Sequence, residues 1–337
     1  MAEPFAATGE FALIARYLQR VGAARSDVVL GVGDDAALLH PPADQQLVVA
    51  MDALVSGVHY PAETAAAAVG HKALAVNLSD LAAMAATPAW ATLTLALPQA
   101  DMAWVADFVR GFEALAQQHQ VALVGGDTVR SAVPMVVVQL QGSVPPGQAL
   151  RRSGAAVGDT IWVSGTLGDA GAALALWQVP SHTPPALTTA DRHWLRQRLD
   201  CPTPQVALGV ALRGLATAAI DISDGLVADL GHLLRASAVG ATLQLAALPL
   251  SPALRRYGSD PVALALYSGD DYELCFTAPP TATAAIQQAA HAAGCGVTPI
   301  GVIESTAGLR LQSVSGVQHT PSTTAPGFDH FADRASR

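Results

Sequence analysis

The sequence predicts a two-domain fold of layered strands and helices, α/β or α+β in class. Three observations predict it. Strand-like apolar runs alternate with apolar residues at helical spacing along the chain. An apolar content of 51% over 337 residues is ample for two cores of ordinary size. Two prolines and a glycine at Val144-Pro145-Pro146-Gly147 interrupt the periodic pattern and place a boundary there, giving domains 1–147 and 148–337.

Taken in order, Phe11, Ile14 and Leu18 recur at helical spacing, and Val28 to Val32 reads as a short strand running into Gly33-Asp34-Asp35. Leu47 to Ala50 is a second strand, expected to deliver Asp52 at its end. Ala62 to Ala86 reads as an Ala-rich helix closed by Thr87-Pro88, with Asp80 inside it. Alternation of Ala91, Leu93, Leu95 and Leu97 with Thr92 and Thr94 marks a half-buried strand; Asp101 to His119 follows as a helix. Val121 to Val124 is expected to end in Gly125-Gly126-Asp127, and Met135 to Leu140 is one more strand. Beyond the boundary come a strand at Thr160 to Ser164, helices near Ala170 to Trp177 and Gln205 to Ala216, and a Pro-rich loop at Pro180 to Pro185. Ala218 to Ile222 is a strand feeding Ser223-Asp224-Gly225, and Leu226, Leu230, Leu233 and Leu234 mark a helix. Glu273 to Thr277 and Val297 to Ile303 complete the alternation.

Acidic residues stand where such a fold has little use for them. Charged residues make up only 13% of the chain, yet Asp34-Asp35, Asp52, Asp80, Asp127, Asp221 with Asp224, and Asp270-Asp271 with Glu273 lie in short clusters beside apolar runs, most of them next to Gly or Ser. An Asp beside Gly is also a natural turn residue or helix cap, and any one cluster suits that role. Together they suit a cation better. Carboxylates ~4 Å apart repel by about 4 kcal/mol at an effective dielectric near 20, so a crowded set must be protonated or neutralised. Oxygen donors without Cys or His beside them favour Mg²⁺ or Mn²⁺ over zinc, and Mg²⁺ commonly completes its shell with substrate phosphate oxygens.

Composition excludes other classes. A net charge of -9, with no basic run longer than two residues, gives little attraction to nucleic acid or an anionic membrane. Three cysteines without a CxxC spacing indicate neither a disulfide framework nor structural zinc. The first residues lack a basic and apolar leader pattern, so a cytoplasmic, soluble protein is expected. No Walker sequence, protein-kinase signature or G-x-S-x-G occurs.

The motifs, in order, carry a resemblance. Gly31-Val-Gly-Asp-Asp-Ala-Ala37, Ala75-Val-Asn-Leu-Ser-Asp-Leu-Ala-Ala-Met84, Leu123-Val-Gly-Gly-Asp-Thr128, Arg152-Ser-Gly154, Ile220-Asp-Ile-Ser-Asp-Gly-Leu226, Asp271-Tyr-Glu-Leu274 and Gly327-Phe-Asp-His-Phe331 resemble the thiamine-monophosphate kinase family of the aminoimidazole-ribonucleotide-synthetase-like superfamily. The resemblance runs from Gly9 to Phe331 and implies a mixed N-terminal sheet with helices plus a C-terminal α/β domain. It implies an ATP- and Mg²⁺-dependent transfer of phosphate to thiamine monophosphate, the last step in making thiamine diphosphate, by a homodimer. Domain 1–147 would bind ATP and metals and dimerise; domain 148–337 would complete the active site. By motif, Asp35, Asp52, Asp80, Asp127, Asp221 and Asp224 are implied as ligands of several Mg²⁺ ions, and Gly126, Asp127, Arg152 and Ser223 as ATP contacts. His59, Asp270 and Phe328 are implied to line the thiamine phosphate site, and Asp127, Arg152 and Asp224 to serve catalysis.

The chain departs from the family pattern at three places. Ala50-Met51 stands where hydroxyl residues usually precede Asp52, Asp270 replaces a Glu, and Val109 lies where an aromatic residue often contacts ATP. The acceptor is a phosphate monoester with a second pKa near 6, already a nucleophilic dianion at neutral pH, so direct transfer without a phosphoenzyme is expected. Relatives that activate an amide, a selenide or a carbamoyl group carry an N-terminal Cys or Sec beside Lys, or a C-terminal Cys; this chain has no Cys before Cys201 and ends in Arg337. A non-catalytic nucleotide- or metal-binding scaffold is the alternative from another class.

Overall fold

The computed structural model describes residues 9–180, 184–313 and 315–321. The chain divides into two units, Met1–Leu81 with Ala86–Gly147, and Ala82–Ala85 with Gln148–Arg337.

The first unit begins with helix α1 (Glu10–Leu13), which widens into a π-helical turn over Ile14–Leu18. Strands β1 (Val28–Leu30) and β2 (Leu38–Leu39) form a small antiparallel ribbon, so the expected strand to Val32 stops earlier and Asp34-Asp35 occupy the connection. The main sheet has the order β3 (Gln46–Val55), β6 (Met135–Val144), β4 (Thr87–Leu97), β5 (Ala122–Arg130). It is mixed: β6 runs antiparallel to both neighbours and β5 runs parallel to β4. On β6, Val136, Val138, Leu140 and Val144 are buried in alternation, the period-2 signature of one covered face.

Helix α2 (Ala66–Ala83) is shorter than expected. Ala85, at φ +55°, takes the left-handed conformation that ends many helices, and Ala86 N–H returns to the Leu81 carbonyl. Pro88 is therefore inside β4, at a register shift where its missing N–H is tolerated. Helix α3 (Met102–Gln118) follows its sequence signal closely. The Asp101 carboxylate accepts from Ala103 and Trp104 N–H, and Val105, Phe108, Val109, Phe112 and Leu115 form its buried stripe.

The second unit holds a seven-stranded sheet. Its strands are β7 (Thr160–Ser164), β8 (Ala218–Asp221), β9 (Gly240–Gln244), β10 (Leu274–Ala278), β11 (Val297–Glu304), β12 (Gly308–Gln312) and β13 (Gln318–His319). The order is β13-β12-β9-β11-β7-β10-β8, antiparallel except for β12 with β9. Every residue of β10 is buried, as expected of an inner strand covered on both faces. The helices are α4 (Asp169–Gln178), α5 (Thr189–Asp200), α6 (Val206–Ala211), α7 (Leu226–Ser237), α8 (Pro252–Tyr257), α9 (Pro261–Tyr267) and α10 (Thr283–Ala292). Ile161, Val163, Ile220, Leu230, Leu233, Leu243 and Ile300 share one core, so α7 packs its apolar stripe with the sheet. Helix α6 is half the length expected, and α5 had no sequence expectation at all. Among the described residues no helix is long and apolar enough to cross a membrane.

Candidate active site

In the first unit, the acids sit on strands and turns, apart from Asp80 on α2. Asp52 lies inside β3, paired with Val138, rather than at a strand end as expected, because β6 supplies pairing partners for three further residues up to Val55. The chain then turns, and Val55 N–H donates to His59 Nδ1 at 2.9 Å. A ring nitrogen accepting an amide proton is unprotonated, so in the neutral imidazole the proton is on Nε2. The buried Lys72 of α2 donates to the His59 carbonyl at 3.3 Å. Asp80 is half-buried on α2, and Asp35 is exposed beyond β1, its N–H bonded to Asp34 Oδ1.

The Gly125-Gly126-Asp127 segment is also within a strand, not after one, since β5 continues beside β4 to Arg130. Gly126 has φ +152°, and a Cβ there would lie 1.9 Å from the Leu93 carbonyl oxygen. Only glycine lets the two strands approach so closely. Asp127 beside it is exposed, and its Oδ1 accepts the Thr128 N–H at 2.8 Å. Elsewhere in this unit a cavity of about 710 Å³ is lined by Arg16, Tyr17, Arg20, Val109, Arg110 and Glu113 among others.

In the second unit two loops meet at the end of β8. Tyr272 N–H donates to the Ile222 carbonyl and Asp270 N–H to the Ser223 carbonyl, at 2.8 and 2.9 Å. Asp270 and Tyr272 both take left-handed backbone, at φ +66° and +50°, and a Cβ on Gly269 would lie 2.1 Å from the Ser223 carbonyl oxygen. The Tyr272 hydroxyl donates to Asp270 Oδ1 at 3.1 Å. The 269–272 loop is thus tied directly to the Ile222-Ser223-Asp224 loop.

Asp229, in the first turn of α7, is the residue that the sequence reading missed here. Its carboxylate accepts from the N–H groups of Ser223, Asp224 and Gly225, at 3.1, 3.0 and 3.1 Å. Burial, and then the nearby charges of Asp221 and Asp224, push its carboxyl up to about 7, against the lowering effect of the amide hydrogen bonds. Three carboxyl groups therefore stand within mutual electrostatic reach. His232, exposed on the same helix, is held below its usual range by burial, then by Arg235 and Arg152, while Asp224 opposes them. Arg152 and Asp224, both expected site residues, thus each act electrostatically on His232.

Beneath these loops is a buried polar network. Arg198 donates to Glu273, Ser164 donates to the other Glu273 oxygen, and Gly168 N–H donates to Asp271. Burial pushes the carboxyls of Asp271 and Glu273 above the ordinary range.

The fold thus brings Asp221, Ser223, Asp224 and Asp270 together in one unit, to which Arg152 also belongs; Asp35, Asp52, His59, Asp80, Gly126 and Asp127 belong to the other. Among the described residues no group of three or more His, Cys, Asp or Glu side chains forms a ready metal cage. The donor set still fits a hard divalent cation: the acids at the end of β8 offer only oxygen, and Mg²⁺ needs just one or two protein carboxylates. Phe328 lies outside the described residues.

Comparison with known proteins agrees with this architecture. Residues 33–144 match the AIR synthase related protein N-terminal domain, and residues 156–314 match its C-terminal domain. The thiamine-monophosphate kinase of Salmonella typhimurium is 44% identical over 330 residues, covering 97% of this chain and 99% of that protein. The crystal structure of thiamine-monophosphate kinase from Stenotrophomonas maltophilia K279a superposes with a TM-score of 0.81 at 51% identity, over 89% of this chain and 94% of that one. A structure described as AaThiL complexed with AMPPCP and TMP gives 0.75 at 32% identity, over 89% and 92%. With both domains matched and identity of this order sustained over nearly its whole length, the chain belongs to the thiamine-monophosphate kinase family.

Proposed function

We propose that this chain transfers the γ-phosphate of ATP to thiamine monophosphate, giving ADP and thiamine diphosphate, by direct in-line attack. The observation that carries this reading is its likeness to a relative complexed with AMPPCP and TMP, over 89% of this chain.

Chemistry accounts for what such a site needs. The acceptor phosphate is mostly a dianion at neutral pH, so no protein base has to make it nucleophilic. The obstacle is repulsion between two polyanions. Mg²⁺, when bound, supplies charge neutralisation and holds phosphate oxygens in place. Asp35, Asp52, Asp80 and Asp127 of the first unit, and Asp221 and Asp224 of the second, are the residues proposed to hold it. Gly126, with no side chain, leaves backbone accessible to ATP phosphates, and Ser223 offers a hydroxyl. Arg152, exposed and within electrostatic reach of His232, supplies fixed positive charge to the transferring group. His59, and Asp270 braced by Tyr272, are proposed to line the thiamine phosphate site, and Phe328 is proposed for the same site from its motif.

The first unit is proposed as the nucleotide- and metal-binding and dimerisation domain, and the second as the source of the remaining active-site residues. The outer row of β3 supports a homodimer: Leu47, Val49 and Met51 are 53, 57 and 64% exposed on an edge strand, an apolar face suited to a second copy. The three cysteines are unbridged, which suits a reducing cytoplasmic setting.

The test is mass identification of the product after incubation with Mg-ATP and thiamine monophosphate. Thiamine diphosphate, with ADP formed only when thiamine monophosphate is present, is expected. ADP formation indifferent to it, or none, overturns the kinase reading. A phosphorylated His or Asp trapped in a single turnover overturns direct transfer.

A further inference from the structure

Helix α7 begins without an ordinary cap. Its N-cap residue is Gly225, at φ +114°, which has no side chain to accept the free N–H groups of the first turn. Asp229 reaches back from inside the helix instead, and its Oδ2 atom takes the N–H groups of three successive residues that precede it. Three converging amides of this kind usually make a concavity for an anion such as phosphate. Here the protein fills that concavity with its own carboxylate, which is 3% exposed. Ser223 and Asp224 keep half-exposed positions on the same loop, and the loop's other edge is bonded to Asp270 and Tyr272.

We infer that Asp229 is a positioning residue of the phosphoryl-transfer site: by occupying the amide concavity of Ser223, Asp224 and Gly225, it denies those three amides to phosphate and presents Asp224 to a divalent cation. This inference rests on the kinase reading. Asp229 itself is not proposed to touch substrate or metal. It acts through the loop, as a partner that orients a ligand acts at other metal sites.

The test uses the full chain with Asp229→Ala and Asp229→Asn. Asparagine retains an acceptor oxygen for the amides; alanine does not. Three quantities are read: hydrogen exchange of the peptide containing residues 223–225, Mn²⁺ binding by electron paramagnetic resonance without thiamine monophosphate, and kcat separately from KM. Asp229→Ala is expected to speed exchange at these amides selectively and to weaken Mn²⁺ binding and kcat by about 10- to 100-fold. Its KM for thiamine monophosphate should change little, and Asp229→Asn should recover most of the loss in all three. Wild-type exchange and Mn²⁺ affinity in Asp229→Ala overturn the inference, and so does an Asn variant as impaired as Ala. Should the Ala variant fail to fold, Asp229→Asn decides alone: near wild-type Mn²⁺ affinity and exchange support the inference, and loss of either overturns it. An inactive wild-type protein sinks the kinase reading instead, a result distinct from an active wild type with an indifferent Asp229.

Discussion

Arg198 and Glu273 meet at 2.7 Å in the interior of the second unit, with side chains only 12 and 2% exposed. Asp271 is buried close by, so one guanidinium serves two carboxyl groups whose ionised forms burial disfavours. Removing the cation leaves them uncompensated. Arg198→Met should cost about 3–5 kcal/mol at neutral pH, read from urea midpoints. Both carboxyls titrate above their ordinary values, so they accept protons more readily as pH falls, and the deficit of Arg198→Met should be smaller in mild acid than at pH ~8.

Asp127→Asn should abolish thiamine diphosphate formation and leave the melting temperature unchanged. The side chain is exposed, and its hydrogen bond to Thr128 N–H can be accepted equally by an asparagine oxygen. An active variant would remove Asp127 from the catalytic set.

Gly126→Ala should impair the protein in a different way. The new Cβ would collide with the Leu93 carbonyl on the paired strand, at a backbone angle that side chains rarely adopt. A loss of stability of at least ~1 kcal/mol is expected, with reduced turnover. Thermal unfolding and activity measured on one preparation check both.

Asp101→Ala separates stability from function. Loss of the two amide hydrogen bonds at the start of α3 should cost ~1 kcal/mol, with kcat unaltered.

Asp191 gives a pH-dependent prediction. Hydrogen bonds from Arg256, then from the Thr188 hydroxyl of its own capping box, hold its carboxyl well below the usual 3.8. A depressed folded-state pKa means that its stabilising contribution is complete above 3.8 and is lost as pH falls toward the folded value. The melting temperature of Asp191→Asn should therefore lie below that of the wild type at pH ~6 and converge with it in strong acid.

Helix α3 shows what local pattern can encode. An Asp cap and an apolar stripe of period 3.6 state both its start and its buried face, and the structure follows them. Helix α5 shows the opposite case: Leu195 and Leu199 are its buried apolar residues, too few to register as a period, and its surest mark was the Thr188–Asp191 capping box. Strand ends were misplaced for a related reason. Asp52 and Asp127 lie inside strands because β6 and β4, distant in sequence, supply backbone partners past the point where apolar residues cease. The carboxylate of Asp229 was invisible as a loop clamp, since nothing in Asp-Gly-Leu-Val-Ala-Asp reveals that three amides will turn toward its last residue.

The sequence by itself determined the fold class, the family and the Gly- and Ser-flanked acids at its core, because motif order, turn chemistry and side-chain period are properties of short segments. Tertiary structure alone decided the tautomer of neutral His59, the tie between the Ser223 and Asp270 loops, and the neighbourhood of Asp229 with Asp221 and Asp224. Those depend on hydrogen bonds and charges that act over a few ångströms, and only chain folding sets such distances, between loops far apart in sequence as between near neighbours whose side chains must turn toward one another.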